Sequence, residues 1–413
     1  MDTISEFAEL TQFLDSCTRH ENCDFETASY LIRDLARSQP EQLVTEVSRS
    51  YIWKGELENR SQLNEMLIPI FMDLADRGDN TSRLNVKTSL ARLLYAQGDY
   101  EGVISLLTPL FDAGLFNERV VELLAQAYCI GKADPYGKIL VNQALESAPE
   151  LLLGKKPDFF EKQSAAQRRN LPSLFINTIP KTGSEYVTSK MSEGLDLPRI
   201  RICLPQLQQD LDVLPAAVRI FSRGGALAKE HLPCNSYNLE QLQLAGVRKF
   251  IVHSRDPRQQ MLAEMFPNIE NLRARCGHEY NVLLKRGWPA NFSSWPLEEQ
   301  IDFAIGKTVP YWIKFLESWI NFASVRSNLE IKFTSYESFK KSQTAFFKDV
   351  LMFYEIDESL FDWRVIDAGA EEGRYNFRMG KVDEWRNLFS NRQSARAWKM
   401  IPDPVKILLD LSK

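Results

Sequence analysis

The sequence predicts two folds in one chain: an all-α helical-repeat domain over residues 1–160 and an α/β domain over residues 170–413, the latter a P-loop-like parallel sheet flanked by helices. Three observations carry this reading. Apolar residues recur at spacings of three and four through the first third of the chain. After Leu153, short β-branched runs alternate with helical stretches. One of those runs ends in a Lys-Thr-Gly-Ser turn that opens a helix.

The 413 residues suit two or three domains. Hydrophobic residues at 44% and charged residues at 25% are values of a globular chain and exclude a disordered or fibrous one. Lys and Arg number 50 against 55 Asp and Glu, a net charge of -5. A globally basic nucleic-acid binder is therefore not expected, although a local cationic pocket is compatible with the balance. No apolar run is long enough to span a bilayer. The first residues, MDTISEFAELTQFLD, are acidic and amphipathic, without the basic start and apolar core of a secretion signal. Cys17, Cys23, Cys129, Cys203, Cys234 and Cys276 form no C-x-x-C pair and read as reduced thiols of a cytoplasmic enzyme. His253 and His278 stand at no metal-ligand spacing from them, so no metal site is expected.

Taken in order, Phe7–Leu14, Ala28–Leu35 and Leu63–Leu74 show helical spacing, and Pro69 is expected to kink or divide the third. Ala91–Phe111 (ARLLYAQGDYEGVISLLTPLF) reads as helix, Gly-Asp-Tyr turn, helix. That is a tetratricopeptide-like hairpin in which Gly98 turns the chain and Tyr100 packs between the helices. Gly131, 33 residues after Gly98, marks a degenerate second copy that stops at Pro149. Residues 154–170 are polar and basic, a linker or bridging helix. Three strands follow, within Leu171–Pro180, Arg248–Ser254 and Leu329–Thr334, and a helix over Ser338–Tyr354. Tyr311, Trp312, Phe315 and Trp319 recur at helical spacing and read as helix core. The Trp288–Trp295 loop is either a pocket wall or a buried loop. Alternating strand and helix imply a largely parallel sheet with ligands at the carboxyl ends of its strands.

The most informative segment is Phe175–Lys190, in which a strand gives way to Lys181, Thr182, Gly183, Ser184 and then a helix. Glycine lets backbone N–H groups approach anionic oxygens, the helix N-terminus favours negative charge, and lysine adds a point charge. The nucleotide-triphosphatase motif is excluded, because its lysine follows the second glycine and here lysine precedes the only one. By itself such a turn also fits an ordinary strand-to-helix connection.

PKTGSEY (Pro180–Tyr186) resembles the PKSGTTW loop of sulfotransferases that use 3′-phosphoadenosine 5′-phosphosulfate (PAPS). Further segments occur in that family's order. AKEHLP (Ala228–Pro233) resembles its KTHLP, and IVHSRDPRQQMLAEM (Ile251–Met265) resembles its strand-Arg-turn-helix element. FRMGKVDEWRNLFS (Phe377–Ser390) resembles its RKG…GDWKN…FT. The resemblance covers residues 170–413. It implies sulfuryl transfer from PAPS to an acceptor hydroxyl or amine, with the bisphosphate PAP as product and no metal.

Carried over residue by residue, the resemblance implies that Lys181 holds the phosphosulfate within a cradle of Thr182, Gly183 and Ser184. Tyr186 stands where the family stacks a tryptophan near adenine. Glu185 replaces a threonine, so it either turns outward or alters how the 5′-phosphate is held. His231 matches the catalytic base, whose ordinary pKa near neutrality suits it to take the acceptor proton; a structural histidine is the other reading. Lys229 would support it. Arg255, with Arg378 and Gly380, would hold the 3′-phosphate, while Met379 replaces a lysine and Ala263 a serine. Tyr336 would contact adenine, and Trp385 would pack its loop against the domain. The acceptor would be a small molecule, a carbohydrate or a peptide, and the helical domain would be free to hold a protein partner. A nucleotide kinase and a non-catalytic scaffold with a degenerate sulfotransferase fold are the competing classes.

Overall fold

The computed structural model describes residues 8–13, 25–49, 57–75, 79–132, 134, 136–149, 158–203, 212–274, 283–284, 286–325, 328–367 and 382–412. The chain forms two compact units, residues 1–144 with 268–294, and residues 145–267 with 295–413.

The first unit is built from helices α1 (Phe25–Ser38), α2 (Pro40–Arg49), α3 (Leu57–Leu74), α4 (Asn80–Gln97), α5 (Tyr100–Asp112) and α6 (Glu118–Gln126). Pro69 lies inside α3 without dividing it. The helix tolerates the lost N–H because Leu67, Phe71 and Leu74 bury themselves beside Ile32, Leu35, Leu43 and Leu90. The hairpin α4–α5 turns at Gly98, whose φ of 82° is accessible to glycine at little cost. Asp79 and Asp99 cap its two helices by accepting from the N–H groups of Ser82 and Gly102. Tyr100 meets Tyr95 edge-on at 5.4 Å. Gly131 ends a π-helical turn, Ala127–Gly131, and a Cβ there would come within 2.2 Å of the Tyr100 ring. Gly131 thus permits a close approach to Tyr100. The next helix, Tyr136–Ser147, stops two residues before Pro149.

The second unit holds a five-stranded sheet: β1 (Leu174–Thr178), β2 (Arg199–Ile200), β3 (Leu227–Glu230), β4 (Lys249–Ser254) and β5 (Glu330–Ser335). The order is β2-β3-β1-β4-β5, and every pairing is parallel. The three expected strands are present as β1, β4 and β5. The two others were not legible, because β2 has two residues and β3 (LAKE) carries two charges. All five residues of β1 are buried, as its apolar run requires at the centre of a sheet.

Helix α7 (Phe159–Arg168) occupies the expected linker and is docked. Its buried Gln163 donates to the carbonyls of Ile220 and Gly224, both at 3.0 Å. Helix α8 (Ser184–Leu195) follows β1, α9 (Pro257–Ala274) follows β4, and α10 (Leu297–Ser324) precedes β5. The single helix expected over 338–354 is two, α11 (Tyr336–Lys341) and α12 (Gln343–Phe353), because the Ser342 side chain caps the second by accepting from Ala345 N–H. Ile176, Val187, Met191, Ile251, Phe347 and Leu351 share one core.

After β3 the chain crosses β1 to form β4. This switch point places a crevice at the carboxyl end of β1, between the turns that leave β3 and β4. Among the described residues no helix is long and apolar enough to cross a membrane.

Candidate phosphate site

Strand β1 ends at Thr178, and the chain enters a turn through Ile179–Gly183 before α8 begins. Gly183 has φ 77° and Lys181 φ 66°. The second value is strained for a side-chain-bearing residue and needs outside support. That support comes from β4 and α9. Gln260 Nε2 donates to the Pro180 carbonyl at 3.2 Å, Arg255 Nη1 to the Lys181 carbonyl at 3.0 Å, and His253 Nε2 to the Thr182 carbonyl at 3.0 Å. A trans peptide points its C=O and N–H in opposite directions. Three carbonyls drawn toward β4 and α9 therefore turn the N–H groups of Lys181, Thr182 and Gly183 the other way. Among the described residues nothing accepts from these three. They sit at the start of α8, where unpartnered N–H groups and the helix dipole favour an anion.

The Lys181 ammonium makes no ion pair among the described residues. Thr182 turns inward. Its hydroxyl donates to the Ile179 carbonyl at 3.0 Å and lies 2.7 Å from the Thr178 hydroxyl. Of the expected cradle, Thr182 can offer only its backbone groups, and Ser184 is buried at the start of α8.

Glu185 turns away from the turn. Its Oε1 accepts from Arg199 at 2.6 Å and its Oε2 from Lys229 at 2.7 Å. Burial opposes the carboxylate, but these two cations outweigh it and hold its pKa at about 2. Lys229 is thereby an ion-pair partner, not an unpaired support for His231. Tyr186, expected as the adenine platform, is enclosed instead. It packs 5.6 Å from Phe339, and its hydroxyl donates to Gln343 Oε1 at 3.1 Å.

His231 follows β3. Asn177 of β1 grips the next residue, accepting from Leu232 N–H at 2.7 Å and donating to Leu232 C=O at 3.0 Å. The imidazole Nδ1 lies 2.7 Å from the Thr178 carbonyl. A carbonyl only accepts, so Nδ1 carries the proton and Nε2 keeps its lone pair. Burial lowers the His231 pKa from 6.5 to about 4, so the ring is neutral at physiological pH.

On the other side, the Arg255 guanidinium lies 4.2 Å from the Tyr336 ring centroid. That ring closes on the turn, since a Cβ at Gly183 would come within 2.8 Å of it. Glu337 accepts from Asp256 N–H at 3.1 Å, which ties the Arg255 turn to α11. Arg258 is committed elsewhere. It makes a two-pronged ion pair with Asp256 and lies 3.8 Å from the Trp385 ring centroid. Trp385 therefore anchors its segment, as expected, and its N–H donates to Gln259 Oε1 at 3.2 Å. Arg378, Met379 and Gly380 lie outside the described residues. Ala263 falls within α9. Trp312 is buried in α10 and donates from Nε1 to Glu264 at 2.7 Å, whereas Tyr311 beside it is exposed.

The structure thus brings Lys181, the turn N–H groups, His231, Arg255 and Tyr336 to one end of the sheet. Sequence reasoning missed Asn177, Thr178, His253 and Gln260, which hold the turn and the histidine. For the first three the available signal was a polar side chain near the end of a buried strand, where apolar residues would otherwise be expected; Gln260 lies in α9 and had no such signal.

No family model matches the chain, and no curated protein matches it. Among solved structures, the crystal structure of mouse sulfotransferase SULT7A1 complexed with PAP matches 63% of this chain and 95% of its own, with 15% identity and a TM-score of 0.40.

Proposed function

We propose that the protein transfers a sulfuryl group from PAPS to the hydroxyl or amine of an acceptor, with residues 170–413 carrying the chemistry. One observation supports this above the others: at one strand end, three N–H groups and the Lys181 ammonium have no partner among the described residues and share the place with a neutral histidine whose Nε2 has none there either. Lys181 and the N–H groups would hold the phosphosulfate and the charge that grows on the departing phosphate. His231 Nε2 would take the acceptor proton as the new bond to sulfur forms and the bond from sulfur to phosphate breaks. Arg255 would hold the 3′-phosphate, joined by Arg378 and Gly380 on the strength of the sequence resemblance. Tyr336, rather than Tyr186, would supply the ring beside the nucleotide. The helical unit is read as a tetratricopeptide-like array available to a protein partner or acceptor.

The test uses the full chain. Calorimetric titration should show PAP binding without magnesium, and radiolabelled PAPS should label an acceptor from a panel of phenols, sugars and peptides. Lys181→Ala should lower turnover by about 10²–10³-fold. Tight ATP–magnesium binding with no PAP binding would assign the site to a kinase. PAP binding without turnover on any acceptor class would favour the scaffold.

A further inference from the structure

We propose that His253 is a positioning residue that sets the direction of the Thr182–Gly183 peptide, so that the Gly183 N–H faces an anion at the turn. This rests on the phosphate-site reading above and extends it to a residue that contacts no substrate.

His253 is fully buried on β4, two residues before Arg255. Its Nδ1 lies 2.9 Å from the Thr334 hydroxyl of β5, and its Nε2 lies 3.0 Å from the Thr182 carbonyl. The carbonyl can only accept, so Nε2 bears the proton and Nδ1 accepts from the threonine. This tautomer is the opposite of that of His231. The ring stands edge-on to Phe346 at 5.7 Å, which limits its rotation. A hydroxyl on β5 therefore orients an imidazole on β4, which in turn orients a peptide in the turn after β1.

The choice of side chain follows from the surroundings. A lysine or arginine at this depth would bury a charge beside Arg255, and burial already holds the His253 imidazole neutral. An apolar residue would leave the Thr182 carbonyl without its donor, and the peptide could then rotate to find another. Rotation would carry the Gly183 N–H out of the anion site, and Gly183, with φ already positive, offers little resistance.

Thr182-Gly183 is the only Thr-Gly pair in the chain, so a sample with carbonyl-¹³C threonine and ¹⁵N glycine shows this one peptide in a carbonyl-filtered NMR spectrum. The signal is compared in the wild type, His253→Leu and His253→Gln, each without ligand and through a PAP titration. Glutamine keeps an N–H donor at nearly the same reach and leucine does not. We expect His253→Leu to shift the ¹³C and ¹⁵N signals and weaken PAP about tenfold, and His253→Gln to keep the wild-type signal and bind within about threefold.

If leucine and glutamine behave alike, or leucine leaves the peptide signal in place, the proposal is overturned. Should His253→Leu fail to fold, Thr334→Val removes the hydroxyl that orients the imidazole. It should move the same peptide signal, and an unmoved signal would again overturn the proposal. A wild type that ignores PAP would count against the sulfotransferase reading alone, because the ligand-free spectra still report whether His253 directs the peptide.

Discussion

The two strand ends that flank the phosphate turn handle charge in different ways. On the β3 side, Lys229 of β3 and Arg199 of β2 both bond Glu185, and the residue beside the turn is a neutral imidazole. At the end of β4, Asp256 is spent on Arg258 and leaves Arg255, three residues away from its like-charged neighbour, to reach the turn itself. Two cations on the first side meet one carboxylate, whereas on the second side the carboxylate meets Arg258 and Arg255 meets a backbone carbonyl of the turn. Under the proposed function, the first end would carry the proton transfer and the second would hold a phosphate. It also shows that a run of basic residues says little until each one's partner is known.

The strongest way to break this comparison is at β3. His231→Ala should lower turnover by about 10²–10⁴-fold while leaving PAP affinity nearly unchanged, as measured by labelled transfer and calorimetry on one preparation. Equal losses of rate and affinity would make the histidine part of the anion pocket. Next come the two arginines. Arg258→Met removes the partner of a buried aspartate and should cost about 3–5 kcal/mol of stability in urea unfolding. Arg255→Gln should instead spare most of the stability and weaken PAP by about 10–100-fold, with little effect on the 3′-dephospho nucleotide. If the two variants exchange these phenotypes, the assignment of one arginine to structure and the other to ligand is wrong.

A further effect is on pH. His231 and His253 both titrate at about 4 in the fold against an ordinary 6.5. Between those values the unfolded chain binds protons that the folded chain refuses. Stability should therefore be flat above about 6.5 and fall as pH drops toward about 4, seen as a declining urea midpoint. The acid limb of the rate profile should lie near 4 as well, and a limb near 6.5 would mean that the base is a better-solvated group.

How far the site could be read in advance depended on how local each device is. The turn after β1 was legible, because a strand, a lysine and a glycine act within a few residues. The side-chain directions in it were not. Thr182 was expected in the cradle and Tyr186 beside adenine; the Thr182 hydroxyl instead bonds the Ile179 carbonyl, and the Tyr186 ring is buried against Phe339. Glu185 looked like a repulsive neighbour for an anion until Arg199 and Lys229, 14 and 44 residues further on, were found to hold it. In the helical unit Gly98 was rightly taken as a turn. Gly131 lies close to the ring of Tyr100, a contact that its position 33 residues after Gly98 did not disclose.

By itself the sequence determined where strands and helices alternate, that the chain turns at Gly98 and Gly183, and that basic residues gather near β4. These follow from periodicity, backbone freedom and composition, all properties of neighbouring residues. Only the tertiary structure decided which carboxylate or carbonyl each cation meets, which nitrogen of each histidine bears the proton, and which way the peptides of the turn point. Those outcomes hang on hydrogen bonds between strands that lie next to one another in the sheet but far apart along the chain, and no local pattern encodes them.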